Sequence, residues 1–359
     1  MISETDNVKK LKPYNPPTAS RLGKMRLDFN ENTLGPSPRV LAAIKSVSAE
    51  RLSAYPEYSE LTKAIADYNN VAPENAVPFN GSDEAIRGCI ECFAGNGKIV
   101  IPTPSFAMFY FYAELQGAKI VKPLYNEDLS FPTKKVLSEI RGSKAVILCN
   151  PNNPTATGIP EKDLIEIIKA CQKENCIAIV DEAYSEFTKE TIAGRIGEFD
   201  NLVVLKTFSK AMGLGGMRIG YALGNETLIA TLKKAKSPYS ITALSALAAT
   251  EALKDTAYMR DYVKKVEKGR SILEKFLDEK GVKRFPSKSN FLVARFGRNA
   301  KAIAENLKEK GFLVRDRSDY ERLEGCVRIS IGTQEQMEKF CGALDKTRGE
   351  LRESEKSGN

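Results

Sequence analysis

Short apolar runs alternate with longer amphipathic stretches through the middle of the chain. The runs are rich in β-branched side chains, and their apolarity is continuous rather than alternating, which indicates strands buried on both faces. The stretches between them, such as residues 161–174, repeat their apolar positions at helical spacing. This alternation predicts an α/β fold with a mainly parallel sheet between helices. The runs lie at residues 98–101, 145–149, 177–180, 202–205 and 219–223.

Both ends of the chain differ from this middle part. The first forty residues are rich in Pro, Asn and Gly and predict an extended arm, with a helix following at 39–49. After residue 240 a long helical stretch, 243–276, precedes a mixture of short runs and helices. We therefore predict a large domain at 40–242 and a smaller α+β domain formed by 1–39 and 243–359. The late runs are 291–296, 312–315 and 326–331, with a helix at 300–310.

Composition narrows the class of protein. The 359 residues, of which 42% are apolar, can bury a substantial core, and the net charge of +8 is spread among mixed signs. Scattered charge of this kind is typical of solvated helix faces and does not predict a nucleic-acid partner. No run approaches the roughly 18 to 20 apolar residues that span a bilayer, and the N-terminus lacks the apolar stretch of a secretory signal. We expect a cytoplasmic protein without a membrane partner.

The chain contains no histidine, which removes a large part of catalytic chemistry. Ser-His-Asp triads, Cys-His pairs and histidine metal ligands are all excluded. Among the seven cysteines, Cys89 and Cys92 have CxxC spacing, but no second CxxC pair follows and they lie in a stretch with helical periodicity. We expect buried reduced thiols there and no metal site.

Polar residues follow three of the predicted strands directly. The motif Asn-Pro-Asn-Asn-Pro stands at 150–154, Asp-Glu-Ala-Tyr at 181–184, and Lys-Thr-Phe-Ser-Lys at 206–210, before a Gly-rich stretch that ends at Arg218. Open α/β sheets bind their ligands at the carboxyl ends of their strands. The sequence therefore predicts one site at this edge of the sheet.

These residue types suit pyridoxal 5'-phosphate. The Lys210 amine can carry the cofactor as a Schiff base (an aldimine) and move a proton at the substrate carbon. The Asp181 carboxylate can keep the pyridine nitrogen protonated, so that the ring withdraws electrons. Asn153 and Tyr184 supply donors for the ring oxygen, and Phe106 supplies an aromatic face to cover the ring.

The cofactor phosphate needs backbone N–H groups at a helix start, hydroxyl groups and a guanidinium. The motif Asn-Gly-Ser-Asp-Glu at 80–84 precedes a stretch with helical periodicity and provides the helix start. The residues that we expect around the phosphate are Ser82, Asp83, Thr207, Ser209 and Arg218.

The motifs at 80–84, 152–155, 181–184 and 209–218, taken together, resemble those of the fold-type I aminotransferases, and most of all the histidinol-phosphate aminotransferase family. The resemblance runs from about residue 11 to 337 in the expected order. It implies the cofactor roles given above and a seven-stranded sheet in the large domain. It also implies a homodimer with the active site at the interface, in which Tyr55 reaches the cofactor phosphate of the neighbouring subunit.

The resemblance also implies the substrates. Glutamate and 2-oxoglutarate are the usual second pair of this family, and Arg328 matches the arginine that binds the substrate anion, either a carboxylate or a phosphate. Tyr14, Asn30 and Arg315 lie in segments that match those of the histidinol-phosphate enzymes. Aromatic aminotransferases and threonine-phosphate decarboxylases share nearly all these motifs, and a regulator or scaffold that binds the cofactor without turnover is the non-enzyme alternative.

One position departs from the family pattern. The paired asparagines are usually followed by Pro-Thr-Gly, whereas this chain has Ala156 in place of the glycine. If the turn needs a positive φ at this position, alanine strains it by roughly 1 kcal/mol. We expect a local adjustment of the loop that leaves Asn153 in place.

Overall fold

The computed structural model describes residues 2–13 and 21–357. None of the helices in this part of the chain is long and apolar enough to cross a bilayer. The helices are α1 (Asp6–Lys10), α2 (Pro38–Lys45), α3 (Ala49–Ser53), α4 (Ser59–Asn69), α5 (Gly81–Cys89), α6 (Ala107–Leu115), α7 (Thr133–Glu139), α8 (Glu161–Lys173), α9 (Glu226–Ala235), α10 (Ala243–Leu253), α11 (Thr256–Glu279), α12 (Ala300–Glu309) and α13 (Gln334–Ser357). The strands are β1 (Met25–Arg26), β2 (Ala76–Phe79), β3 (Lys98–Val100), β4 (Lys119–Val121), β5 (Ala145–Cys149), β6 (Ile177–Asp181), β7 (Leu202–Thr207), β8 (Gly220–Gly224), β9 (Lys283–Arg284), β10 (Phe291–Arg295), β11 (Phe312–Leu313), β12 (Arg315–Asp316) and β13 (Cys326–Ser330).

A seven-stranded sheet forms the centre of the molecule, in the order β2-β8-β7-β6-β5-β3-β4. Strands β3 to β7 pair in parallel, while β8 is antiparallel to both of its neighbours. Successive residues of β5 point to opposite faces: Ile147 joins the hydrophobic cluster that includes α5, and Leu148 joins the cluster that includes α8. Burial on both faces explains why the runs read as continuously apolar, and the predicted α/β fold is confirmed.

A second, four-stranded antiparallel sheet has the order β12-β13-β10-β9 and comes from the last third of the chain. The N-terminal segment reaches this region, since β1 pairs in parallel with β11. Helix α10 packs against α2 and α4, which precede the central sheet in sequence. The division into domains at 40–242 and at 1–39 with 243–359 stays a prediction.

Two predicted helices are each interrupted, and the arm contains one helix. The stretch 243–276 is two helices, because Asp255 has a non-helical backbone (φ −126°, ψ 49°) between α10 and α11. The helix expected at 39–49 ends at Lys45, and the Ser48 side chain starts α3 by accepting from the Arg51 N–H at 3.2 Å. Helix α1 lies within the arm that we expected to be extended. The side chains of Asp and Ser can bond to nearby backbone groups and so end or start a helix. Such a break leaves the spacing of the apolar residues unchanged, so the apolar periodicity does not reveal it.

Candidate active site

A cavity of about 540 Å³ opens at the carboxyl ends of β5, β6 and β7 and is closed on its far side by residues of β12 and β13. It brings together nearly all of the residues that the sequence predicts for the site. Tyr55 does not line it, and Tyr14 lies outside the described residues. The predicted residues that line the cavity are Asn30, Ser82, Asp83, Phe106, Asn153, Asp181, Tyr184, Thr207, Ser209, Lys210, Arg218, Arg315 and Arg328.

Lys210 follows β7 and turns its amine into the cavity. The Nζ atom donates to the carbonyl oxygen of Phe29 at 2.9 Å and lies 5.7 Å from the centre of the Tyr184 ring. Burial, and then the nearby charge of Arg328, lower the pKa of Lys210 to about 8. A larger fraction of the amine is therefore neutral at physiological pH than for an exposed lysine, which is the state required of a nucleophile.

Asp181 is the last residue of β6 and is almost fully buried. Its Oδ1 accepts from the N–H of Ala183 at 2.9 Å, which orients the carboxyl group. Burial raises the pKa of Asp181 to about 7, because a carboxylate loses its hydration there. The ionised form therefore needs a cationic partner in the cavity, and a protonated pyridine nitrogen is such a partner.

Tyr184 belongs to a hydrogen-bonded chain that crosses the cavity wall. Its hydroxyl accepts from Asn30 Nδ2 at 3.0 Å, and Asn30 Oδ1 in turn accepts from the Ser330 hydroxyl at 3.0 Å. The ring packs edge-on against Phe291 with the ring centres 5.2 Å apart. Burial raises the pKa of Tyr184 well above its usual value, so its hydroxyl keeps its proton and can donate to an oxygen anion.

An anion cradle lies at one end of the cavity. Helix α5 starts there without a side-chain cap, so its first N–H groups remain available to a ligand. Arg218 donates to the Ser209 hydroxyl at 3.3 Å and pairs with Asp83 at 3.2 Å, while the hydroxyls of Thr207 and Ser209 are 3.0 Å apart. Gly81 has a φ of +76°, which favours glycine, and a Cβ there would lie 2.7 Å from Arg218 Nη2 and displace the guanidinium. The donor set fits a phosphate group.

Three arginines form the opposite wall. Arg315 and Arg328 are direct partners across the β12–β13 ladder, and Arg317 lies just past the end of β12, where its N–H donates to the carbonyl oxygen of Cys326 at 2.9 Å. Arg328 Nη1 donates to Asn153 Oδ1 at 2.5 Å and Nη2 donates to the carbonyl oxygen of Asp28. Its Nε is buried and has no hydrogen-bond partner within residues 2–13 and 21–357. Burial and the charge of Arg317 lower the pKa of Arg328 to about 9, which still leaves the guanidinium charged at pH 7.

Of the two aromatic residues predicted to contact the cofactor from outside the strand ends, Phe106 lines the cavity and Tyr55 does not. Phe106 lines the cavity directly before α6, and its ring packs edge-on against Phe109 with centres 5.6 Å apart. Tyr55 lies after α3, is 80% exposed and stacks on Tyr239 with ring centres 4.5 Å apart. Tyr55 therefore has no contact with the cavity of its own chain, and its assigned place in a neighbouring subunit stays a prediction.

Sequence reasoning missed several residues that line the cavity, among them Phe29, Arg317 and Tyr320. A signal for Arg317 was present, because it stands two residues after Arg315, and side chains two apart in extended backbone point to the same side. Phe29 acts through its backbone carbonyl, which no side-chain pattern reveals. We find no comparable signal for Tyr320.

Ala156 adopts the backbone conformation that its usual glycine would favour. Its φ is +63°, its side chain is fully buried, and its N–H donates to the carbonyl oxygen of Asn152 at 2.8 Å. Asn153 still lines the cavity, as expected. The left-handed conformation costs about 1–2 kcal/mol for a residue with a Cβ, while the buried methyl group recovers roughly 0.8 kcal/mol.

We expect Ala156→Gly to change the free energy of unfolding by less than about 1 kcal/mol, because relief of strain is offset by the lost methyl group and by a more flexible unfolded chain. Ala156→Val should cost at least about 2 kcal/mol, since a β-branched side chain is disfavoured at positive φ and the site is fully packed. Urea denaturation of both variants measures the free energy of unfolding. A valine variant as stable as the wild-type protein would show that the backbone at position 156 is not strained.

Comparisons with known proteins agree with one another. The model of the family "Aminotransferase class I and II" matches residues 23–344. The chain is 39% identical to the histidinol-phosphate aminotransferase of Thermoanaerobacter pseudethanolicus over 87% of this chain and 90% of that protein. It is 33% identical to that of Methanocaldococcus jannaschii over 95% of this chain and 96% of that protein.

Solved structures of the same kind have the same fold. The histidinol-phosphate aminotransferase from Clostridium acetobutylicum superposes with a TM-score of 0.85 at 26% identity, covering 91% of this chain and 99% of that one. The enzyme from Sinorhizobium meliloti, solved in complex with pyridoxal-5'-phosphate, superposes with a TM-score of 0.88 at 24% identity, covering 97% and 98%.

Proposed function

Because the chain belongs to the class I and II aminotransferase family, we propose that it uses pyridoxal 5'-phosphate to move an amino group between histidinol phosphate and 2-oxoglutarate. One observation carries the proposal. The Lys210 amine, the buried Asp181 carboxyl group and two separate anion-binding regions line a single cavity of about 540 Å³. An amine that shares one cavity with two sets of N–H and guanidinium donors suits a phosphorylated cofactor and a substrate that is itself an anion.

The residues present fit the cofactor at each of its polar groups. The uncapped start of α5, with Ser209 and Arg218, would hold the phosphate. Asp181 would pair with the ring nitrogen and stay ionised in spite of its burial. Tyr184 would donate its hydroxyl to the ring oxygen. Asn153 would donate its NH₂ group, since its carbonyl oxygen already accepts from Arg328.

When bound, pyridoxal phosphate supplies an electron-withdrawing ring that stabilises negative charge at the substrate carbon beside the amino group. Lys210 would hold the cofactor covalently through its Nζ atom. The same amine would be the basic group that takes the proton from the substrate carbon. With no histidine in the chain, this lysine is our candidate for the proton transfers.

The arginine wall supports a phosphorylated amino substrate. Histidinol phosphate carries no carboxylate, so the same arginine would bind its phosphate in one half-reaction and a glutamate carboxylate in the other. A phosphate dianion can accept from more donors than a carboxylate, and Arg315 and Arg317 provide further guanidinium groups beside Arg328. An aromatic amino acid offers this wall one carboxylate in place of a phosphate dianion, and so fewer acceptor oxygens.

A substrate panel tests the proposal. The half-reactions can be monitored through the visible absorption of the holoenzyme. We expect them to be fastest with histidinol phosphate and glutamate. Faster conversion with phenylalanine or tyrosine would favour an aromatic aminotransferase, and release of carbon dioxide from threonine phosphate would favour a decarboxylase. Binding of cofactor without conversion by any amine would indicate a scaffold or regulator. Each of these results would replace the proposed function.

Arg317 provides a sharper test of the phosphate assignment. Arg317→Gln should lower kcat/KM for histidinol phosphate. The loss should correspond to about 1.5–3 kcal/mol of transition-state stabilisation, which is the usual contribution of a hydrogen bond to a charged group. The same variant should leave kcat/KM for histidinol, which lacks the phosphate, close to the wild-type value. Equal losses with both substrates would show that Arg317 acts on something other than the phosphate.

Asp181→Asn should separate activity from stability. A neutral amide cannot keep the ring nitrogen protonated, so proton removal should slow by on the order of 10²-fold or more. The folded-state pKa of about 7 lies above the unfolded value of 3.8, so the carboxyl favours folding at low pH and loses this contribution as pH rises through 7. The stability of the cofactor-free Asn variant relative to wild type should therefore increase between pH 4 and pH 8, by up to roughly 4 kcal/mol.

Thermal unfolding of both cofactor-free proteins at several pH values measures this difference. A constant difference across the range would mean that the pKa of Asp181 is not raised by folding. A near-normal half-reaction rate for the Asn variant would mean that the ring nitrogen has another partner.

The homodimer and the cytoplasmic location also belong to the proposal. In support of a dimer, exposed apolar side chains occur on and beside α2 and α3, on the part of the chain that carries Tyr55. A surface of this kind is typical of an interface. The exposed large side chains there are Leu34, Leu41, Leu52 and Tyr55, and Tyr239 stacks on the last of them.

A further inference from the structure

Arg21 lies outside the cavity and binds two carboxylates of one short segment. Its guanidinium donates to Asp28 through Nε at 3.2 Å and Nη2 at 2.7 Å, and to Glu31 through Nη1 at 3.2 Å and Nη2 at 2.6 Å. The Arg21 side chain is 13% exposed, so these pairs are largely shielded from water. Its Cζ also lies 4.1 Å from the centre of the Phe29 ring. Arg21 thus contacts three of the four residues at 28–31.

The same segment makes three contacts with residues of the proposed reaction. The carbonyl oxygen of Asp28 accepts from Arg328 Nη2. The carbonyl oxygen of Phe29 accepts from Lys210 Nζ at 2.9 Å, and Asn30 Nδ2 donates to the Tyr184 hydroxyl at 3.0 Å. Residues 28–31 therefore form a backbone bridge between Arg21 on one side and the amine, the anion-binding arginine and the tyrosine on the other.

The backbone of this bridge is left-handed at its centre. Asn30 has a φ of +57°, between the two residues whose carboxylates Arg21 holds. Asparagine adopts this conformation more readily than most residues, and hydrogen bonds on both sides hold it there. On the cavity side Asn30 is held by Ser330 and by Asn290 Nδ2, which donates to its carbonyl oxygen at 2.9 Å. On the outer side the two-carboxylate contact of Arg21 holds the flanking residues.

We propose that Arg21 is a positioning residue for the reaction, which acts by fixing residues 28–31 so that their carbonyl oxygens hold Lys210 and Arg328 in place. The inference rests on the proposed function, because it assigns Lys210 and Arg328 their roles there. The planar fork of the guanidinium matters as well as its charge. Four hydrogen bonds to two carboxylates need several N–H groups in fixed directions, and a lysine ammonium cannot supply them in that geometry.

The experiment compares Arg21→Lys with a matched control. Arg284 also bridges two carboxylates, Asp278 at 2.8 Å and Glu274 at 3.2 Å, but lies on β9 and does not line the cavity. We expect Arg21→Lys to lower kcat/KM for glutamate by about tenfold or more, because small displacements of reacting groups are costly. KM for glutamate should rise as well as kcat fall. Arg284→Lys should leave both constants at their wild-type values.

A second measurement does not depend on turnover. Glutarate has the two carboxylates of glutamate and no amino group, so its binding to the holoenzyme, measured by calorimetry, reports the Arg328 region alone. We expect its dissociation constant to rise in Arg21→Lys. A variant that is merely less stable would have a smaller active fraction, but the folded molecules would bind glutarate with the normal constant.

Glu31→Gln keeps the inference testable if Arg21→Lys does not fold. Loss of a negative charge beside the cavity would by itself tighten the binding of an anion. A rise in the glutarate dissociation constant would therefore show that position, and not charge, has changed. Wild-type values for glutarate binding and for KM in these variants would overturn the inference. A wild-type protein that neither binds glutarate nor converts glutamate would instead overturn the proposed function.

Discussion

Replacement of Lys210 by alanine should abolish aminotransfer while the cofactor still binds without a covalent bond. The variant loses the amine that we propose both attaches to the cofactor and moves the proton. Loss of proton transfer alone should cost roughly 10²–10⁴-fold in rate. The cradle formed by α5, Ser209 and Arg218 does not include Lys210, so the phosphate should still be held.

Single-turnover spectra with glutamate measure this loss, and equilibrium dialysis measures the bound cofactor. The visible band of the covalently attached cofactor should be absent from the variant. Lys63→Ala is a suitable control, since Lys63 is 71% exposed and pairs with Asp67 on the surface, away from the cavity. Appreciable turnover by the Lys210 variant would remove the role assigned to this residue.

The second large effect is expected for Arg328→Ala. Its guanidinium is buried, its Nε has no hydrogen-bond partner among the residues that the structure describes, and it lies among the predicted substrate residues. The substrate carboxylate would lose its charged partner in a buried site, so KM for glutamate should rise. The rise should correspond to a loss of about 2–5 kcal/mol of binding free energy. The Asn153 amide also loses its hydrogen-bond donor, so kcat should fall as well.

This prediction is tested by measuring KM for glutamate and KM for histidinol phosphate in the Arg328→Ala variant. Both should rise, because one arginine is assigned to the carboxylate of the first and the phosphate of the second. Arg284→Ala controls for loss of a structural arginine. An unchanged KM for both substrates would contradict the role of Arg328, and a change for only one would contradict its shared use.

The spacing of apolar residues along the chain was sufficient to predict the strands that are buried on both faces and two of the helices. Strands β5, β6 and β7 each lie where a continuous apolar run predicts them, and α8 and α12 lie at helical spacing within one residue of their expected bounds. Breaks governed by single polar residues were not predictable in this way. Asp255 interrupts one long helical stretch and Ser48 restarts a helix after another, and neither changes the apolar periodicity.

The cofactor side of the site follows from sequence because its residues directly follow strands of one parallel sheet. Chain direction alone brings the residues after β5, β6 and β7 to one edge. The strained turn at Ala156 was foreseeable for the same reason, since its place beside Asn153 is a matter of local chain geometry.

The sequence by itself therefore determined the sheet, the family and the residues that meet at its carboxyl edge, because strand direction and residue type are local properties. Only the tertiary structure decided which backbone groups hold these side chains. Phe29 and Lys210 are 181 residues apart, and Asp28 and Arg328 are 300 apart. These contacts use carbonyl oxygens, which every residue type possesses, so no residue pattern identifies them. Their pairing exists only once β1, β13 and the central sheet have packed together.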